Sequence, residues 1–213
     1  MSSVEFLCKE HKQMTKVTSI QQRKADHIKI NLEKDISSEI TTGLEKYSFI
    51  HEALPELDLH EIDTTLNLFG KRHKAPILIS SMTGGTEDSE IINHRLADAA
   101  QEVGVAMGVG SQRAAIDNLE NIQSFIVARK VAPDILLFAN IGAIQLNNGY
   151  GIDECHKAVE MIGADGLILH LNPLQEALQS NGNTNFAGLS NKIEVICKKI
   201  SVPVIVKEVG WGI

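Results

Sequence analysis

Apolar residues fall into short runs that alternate with longer stretches of helical period. The runs occupy 76–80, 105–110, 134–139, 166–171 and 202–207. Between them, 87–103 repeats Ile91, Leu96, Ala99, Ala100 and Val103 near a 3.6-residue spacing. The stretch 119–131 does so with Ile122, Phe125 and Ile126, 152–162 with Ala158, Val159 and Ile162, and 189–200 with Ile193, Ile196, Cys197 and Ile200. Strands that alternate with helices form βαβ units and a parallel sheet. The nearly unbroken apolar character of the strands predicts burial on both faces.

Two parallel architectures repeat such units: the open doubly wound sheet and the (β/α)8 barrel. A doubly wound sheet concentrates its polar residues at one switch point, whereas a barrel gathers them from many strand ends. Here every run is followed by a polar or glycine-rich cluster. These are Ser81-Met82-Thr83-Gly84-Gly85, Ser111-Gln112-Arg113, Asn140-Ile141-Gly142, His170 to Glu176, and Lys207-Glu208-Val209-Gly210. The pattern predicts a TIM barrel. A complete one takes about 250 residues. Only the part after Ala75 repeats, so the expectation is a single domain truncated after about five βα units, its C-terminal part missing. Residues 1–75 form an N-terminal extension, with a helix over 21–32. A hairpin pairs 61–68 with 75–80 around a turn at 70–74.

Charge narrows the partners. The 213 residues carry a net charge of -7. That leaves no general basic field for nucleic acid, and a small anion would need local cations. Cys8, Cys155 and Cys197 are far apart and odd in number, which fits a reducing cytoplasmic setting without a disulfide framework. No run reaches the roughly 20 apolar residues of a membrane span, and no secretory signal is evident.

The densest chemistry is His170-Leu171-Asn172-Pro173-Leu174-Gln175-Glu176, directly after the apolar run 166–169. Ile168, His170 and Asn172 share one face of an extended strand. Pro173 ends the ladder and places Gln175 and Glu176 on the loop above. Imidazole and amide donors beside one carboxylate suit an anion carrying a divalent metal, and Glu176 with ligand oxygens would satisfy Mg²⁺. At Met82-Thr83-Gly84-Gly85, bare backbone offers close approach to a planar ring or a phosphate, or simply a tight turn. Ser111 and Arg113 can grip an anion, the guanidinium by a bidentate fork. Asn140 ends an apolar strand and could cap a turn or bond a heterocycle. Lys207, at the end of the last run, could balance an anionic flavin, form a Schiff base or pair with a glutamate.

In this order the motifs resemble the type 2 isopentenyl diphosphate isomerases, flavoproteins with a (β/α)8 barrel. The matching pieces are Arg23-Lys24-Ala25-Asp26-His27, Met82-Thr83-Gly84-Gly85, Gly110-Ser111-Gln112-Arg113, Asn140-Ile141-Gly142 and His170 through Glu176. Asn185-Phe186-Ala187-Gly188 and Lys207-Glu208-Val209-Gly210 complete the set, from about residue 21 onward. The resemblance implies interconversion of isopentenyl and dimethylallyl diphosphate with FMN in its reduced form, NADPH as reductant and Mg²⁺, in a homo-oligomer. It implies flavin contacts at Ser81, Met82, Thr83, Ser111, Asn140 and Lys207. The diphosphate would meet Arg23, Lys24, Ser111, Gln112, Arg113, His170 and Asn172. Gln175 would lie beside the isoprenyl carbons, in positioning or relay, and Glu176 would hold Mg²⁺. Lys207 would favour the anionic flavin. Two alternatives stand beside it. One is an FMN barrel oxidoreductase of the hydroxy-acid oxidase or IMP-dehydrogenase type, the latter needing a loop cysteine. The other is an inactive fragment, since family members bind the flavin phosphate through later βα units.

Overall fold

The computed structural model describes residues 19–179 and 181–210. An exposed helix α1 (Ser19–Glu33) leads into an extended arm, 34–64, whose residues are solvent-exposed almost throughout. Tyr47, Phe49, Ile50 and Leu57 on this arm are exposed apolar side chains. A two-stranded antiparallel hairpin follows, β1 (Leu66–Leu68) and β2 (Lys71–His73). Then come β3 (Leu78–Ile79), α2 (Glu87–Val103), β4 (Ala106–Gly108), α3 (Arg113–Asp117) and α4 (Gln123–Val131). The remainder is β5 (Leu137–Gly142), α5 (Ile152–Ile162), β6 (Gly166–His170), α6 (Pro173–Leu178), α7 (Leu189–Lys199) and β7 (Val204–Lys207).

Strands β3 to β7 form one sheet, each parallel to the next, in strict chain order. A doubly wound sheet reverses its order at a switch point. Unreversed order is the winding of a (β/α)8 barrel, and the described strands make a five-stranded arc of one. The register stacks Gly108 on Phe138 and Phe138 on Gly166. Higher up, Gly142 pairs with His170 and His170 with Lys207.

Alternation along each strand sorts the side chains. Met107, Val109, Leu137, Ala139, Ile141, Leu167 and Leu169 pack outward against Phe125, Ala128, Cys155, Ala158, Ile162 and Ile196 of the helices. Ala106, Leu136, Phe138 and Ile168 point inward and meet Ile205. Truncating a fully buried aromatic such as Phe125 costs about 3–5 kcal/mol.

Local sequence sets the helix ends. Thr86 caps α2 by accepting from the Ser89 N–H, and the Ser89 hydroxyl accepts in return from the Thr86 N–H. Gly104 and Gly163 close α2 and α5 in left-handed geometry, φ 70 and 54. The Arg129 guanidinium bonds the carbonyls of Ala132, Pro133, Ile135 and Gly163, and its salt bridge to Asp165 is 2.7 Å long. Burial pushes the Asp165 carboxyl up. The Leu137 N–H, Lys71 and Arg129 outweigh that effect and hold it below the usual range.

Three expectations are corrected. The hairpin is tighter than 61–68 with 75–80. Lys71–His73, expected as part of the turn, is the return strand, and Phe69 and Gly70 make the turn at φ 48 and 80. Charge disguised this strand, whose Lys71 is drawn to Asp165 at 2.8 Å, while the Phe69 ring meets Phe138 edge-on at 6.2 Å. Asn140 does not end its strand, because β5 runs on to Gly142. Gln175 and Glu176 are not on a loop. Pro173, at the first position of α6, starts a helix instead of only stopping a strand.

Candidate active site

The carboxyl ends of the five parallel strands surround a cleft of about 610 Å³, a size usual for small-molecule sites. Each strand delivers residues to it: Ser80, Ser81 and Met82 after β3, Ser111 and Arg113 after β4, and Asn140, Gly142 and Gln145 from β5 and its loop. His170, Asn172, Gln175, Glu176 and Gln179 come from β6 and α6, and Lys207 to Gly210 from the end of β7. Lys24 and His27 of α1 close one side.

A chain of amides fixes the centre. The Gln112 N–H donates to the Asn140 carbonyl at 2.8 Å, and the Gln112 side-chain oxygen accepts from the Asn140 N–H at 2.9 Å. Its Nε2 donates to the Ala158 carbonyl. Asn140 Nδ2 then donates to the Val109 carbonyl, which leaves Oδ1 facing His170 Nδ1 at 2.9 Å. Gly142 allows this approach, because a Cβ there would stand 3.0 Å from His170 Nε2. Burial first, then the Lys207 charge, lower the His170 pKa to about 4.

Beside it, Asn172 Nδ2 donates to Glu176 Oε1 at 3.0 Å and to Gln175 Oε1 at 3.3 Å. Glu176 Oε2 accepts from the Asn183 N–H at 2.6 Å. The carboxylate is therefore buried yet oriented. Among the described residues, the cationic Lys24, Arg113 and Lys207 line the same cleft. Lys24 Nζ donates to the Ser111 carbonyl at 2.9 Å and lies 5.1 Å from the centre of the Phe125 ring. Burial lowers its pKa to about 8. Arg113 pairs with Asp117 at 3.6 Å, and Asp117 accepts from the Tyr150 hydroxyl at 2.6 Å.

Of the residues singled out in the sequence, Ser81, Met82, Ser111, Asn140, Lys207, Lys24, Arg113, His170, Asn172, Gln175 and Glu176 come together in this cleft. Gln112 and Thr83 do not. Gln112 is fully buried behind Asn140. The Thr83 carbonyl is taken by the Gly110 and Asn93 donors. Arg23 lies on α1, but its side chain is outside the described residues. The glycines after β3 admit the protein's own groups: a Cβ on Gly84 would overlap the Phe125 ring, and Gly85 lies against Lys24 and Ala114. Sequence reasoning missed Gln145, Gln179 and the Asp117–Tyr150 pair. For Gln145 the one signal was a lone polar residue among Ile144 and Leu146, directly past a strand end. Ser81 Oγ and Asn172 Oδ1 are buried without a hydrogen-bond partner. Among the described residues no cluster of three or more His, Cys, Asp or Glu could hold a metal. No described helix is long and apolar enough to cross a membrane.

No protein-family model matches the chain. A solved mandelate oxidase mutant with the monooxide FMN adduct superposes with a TM-score of 0.55 at 16% identity, over 90% of this chain and 60% of that one, a likeness of fold alone. Curated relatives are far more similar in sequence. The isopentenyl-diphosphate delta-isomerase of Nostoc sp. strain PCC 7120 is 56% identical over 194 residues, 91% of this chain and 55% of its own length. Those of Rickettsia canadensis and Synechocystis sp. are 54% and 55% identical, over 90% of this chain and 56% and 55% of their own lengths. The chain thus spans about half the length of curated relatives that are named isopentenyl-diphosphate delta-isomerase, and over that half it is similar to them at more than one residue in two.

Proposed function

We propose that this chain carries the diphosphate-facing part of an isopentenyl-diphosphate delta-isomerase of the FMN-dependent type. The carrying observation is the cleft itself. In a chain of net charge -7, Lys24, Arg113 and Lys207 line one cleft together with His170 and the buried Glu176. Local cations in an acidic protein fit a small, highly charged anion.

The cleft fits the implied cofactors. Ser81 Oγ is a buried hydroxyl still lacking a partner, and Gly108 leaves room beside it, since a Cβ there would overlap that oxygen. Ser81, Met82, Ser111, Asn140 and Lys207 would hold the flavin. Thr83 would contribute backbone shape only. Glu176 offers one carboxylate whose position is set by Asn172 and Asn183. A single carboxylate suits Mg²⁺, which keeps waters and substrate phosphate oxygens in its shell. NADPH would serve as reductant, and the exposed apolar arm favours a homo-oligomer. The setting we infer is cytoplasmic.

When bound, reduced FMN would supply the acid–base function at the alkene. The chain's residues do the rest. Lys24, Ser111, Arg113, Asn172 and Arg23 bind the diphosphate, while Gln112 acts on it only through Asn140. Asn140 Oδ1 is an acceptor, so His170 carries its proton on Nδ1 and presents a bare Nε2. That Nε2 would accept a hydrogen bond from a hydroxyl of the diphosphate or from a water bound to it. Gln175, a poor acid, would orient the isoprenyl carbons, and Lys207 would stabilise negative charge on the flavin.

The hydroxy-acid oxidase alternative has the likeness of fold in its favour and no more. The IMP-dehydrogenase type needs a loop cysteine, and there is none among the described residues. Cys155 lies in α5, where burial pushes its thiol up to about 12, and Cys197 lies in α7. The test supplies anaerobic protein, loaded with reduced FMN and Mg²⁺, with isopentenyl diphosphate, and in parallel supplies aerobic, oxidised protein with a 2-hydroxy acid. Formation of dimethylallyl diphosphate with no hydroxy-acid oxidation supports the reading. Oxidation with the diphosphate unchanged overturns it.

A further inference from the structure

Gln145 is 5% exposed and lines the cleft, yet among the described residues its carboxamide makes no hydrogen bond. The neighbouring buried amides behave differently. Gln112 and Asn140 have partners on both ends of their side chains. The Gln145 amide atoms stay open to the cleft, so their hydrogen bonds are left for water or a ligand. The orphaned amide is also held rigidly. It sits on the 3-10 turn Ala143–Asn147. Lys192 Nζ donates to the Leu146 carbonyl at 2.6 Å, and Asn147 Nδ2 bonds the carbonyls of Asn185 and Ala187. The Gln145 carbonyl accepts from the N–H groups of Asn148 and Tyr150. These bonds fix the backbone that carries the amide, so its place on the cleft wall is set before a ligand arrives.

Strand register says which part of a ligand it meets. Asn140, paired with Ile168, and Lys207, paired with His170, belong to the sheet itself and define the lower level of the cleft. Arg113, Gln145 and Glu176 all follow the last registered pair of their strands and stand above that level. Gln145 is on the βα loop between those that bear Arg113 and Glu176. The same loop ends in Tyr150, whose hydroxyl bonds the carboxylate that pairs with Arg113.

We infer that Gln145 is a further binding residue for the diphosphate. Its NH₂ donates to a phosphate oxygen between Arg113 and the Glu176 metal position. This rests on the reading above, and it adds a neutral, directional donor to a set of cations. Such a donor fixes the orientation of the anion, where point charges alone fix only its presence.

The experiment is calorimetric titration of the protein with inorganic pyrophosphate and Mg²⁺, and separately with FMN, for the wild type, Gln145→Leu and Gln145→Glu. A lost hydrogen bond to a charged group corresponds to about a tenfold or greater loss of affinity. Gln145→Leu is expected to weaken pyrophosphate by that amount. Gln145→Glu, which keeps the shape but adds negative charge, should weaken it more, and FMN affinity should stay within twofold in both. Wild-type pyrophosphate affinity in both variants overturns the inference and leaves the isomerase reading standing. An equal loss of FMN and pyrophosphate affinity also overturns it, because that is the signature of a structural role. A wild-type protein that binds no pyrophosphate overturns both.

Discussion

His170 Nδ1 lies 2.9 Å from Asn140 Oδ1, and because Asn140 Nδ2 is already committed to the Val109 carbonyl, that contact assigns the histidine proton to Nδ1. Behind Asn140 stands Gln112, which clamps its backbone at both groups. The tautomer of a cleft residue is thus written by a glutamine that never reaches the cleft.

The first consequence is for stability against pH. The folded pKa of His170 is about 4, lowered mainly by burial from the ordinary imidazole value of 6.5. Between those values the unfolded chain takes up a proton that the folded chain refuses. Falling pH therefore favours unfolding across this window. Denaturant titrations from pH 7 to pH 4 should show stability declining, with a shallower decline in His170→Gln. Equal slopes for the two proteins would mean that His170 is not held neutral.

Lys24 gives a second, opposite-range effect. With its pKa lowered to about 8 by burial, the ammonium is charged at neutral pH and loses its proton on mild alkalinisation. Pyrophosphate affinity should fall as pH rises from 7 to 9 in the wild type. In Lys24→Met it should be weaker at pH 7 and vary less over that range.

Gln112 separates structure from contact. Gln112→Leu preserves bulk but strands the buried Asn140 N–H, a group whose loss of a partner costs about 1–3 kcal/mol. For a chain of this size each kcal/mol lowers the melting temperature by roughly 2–4 °C. A melting temperature within one degree of wild type would refute the clamp.

Gly84 tests the turn after β3. Its Cα faces the Phe125 ring so closely that any Cβ overlaps it. Gly84→Ala should destabilise by about 1–3 kcal/mol, and Gly84→Ala combined with Phe125→Leu should cost less than the two separate changes added together. Simple additivity in the thermal melts would remove the overlap argument.

The parallel arc was legible because its signals are local. The spacing of Ile91, Leu96 and Ala100 gave α2, whose ends the structure shows capped by Thr86 and Gly104. The convergence of Arg113, His170 and Glu176 followed from their places at the carboxyl ends of parallel strands. Less legible was whatever depends on partners far along the chain. The strand β5 passes through Asn140 because Gln112 pairs with it from another loop. Lys71–His73 reads as a charged turn until Asp165 draws Lys71 into place. Gln145 looks like one polar residue in an apolar turn, and only its burial in the cleft reveals it.

The central claim is met most directly by proton NMR in D₂O of the protein with isopentenyl diphosphate and Mg²⁺, under anaerobic conditions, with FMN reduced, FMN oxidised or no flavin. The account predicts dimethylallyl diphosphate carrying deuterium from solvent with reduced FMN alone. Isomerisation at the same rate without flavin, or none by a protein shown to retain reduced FMN, would contradict it.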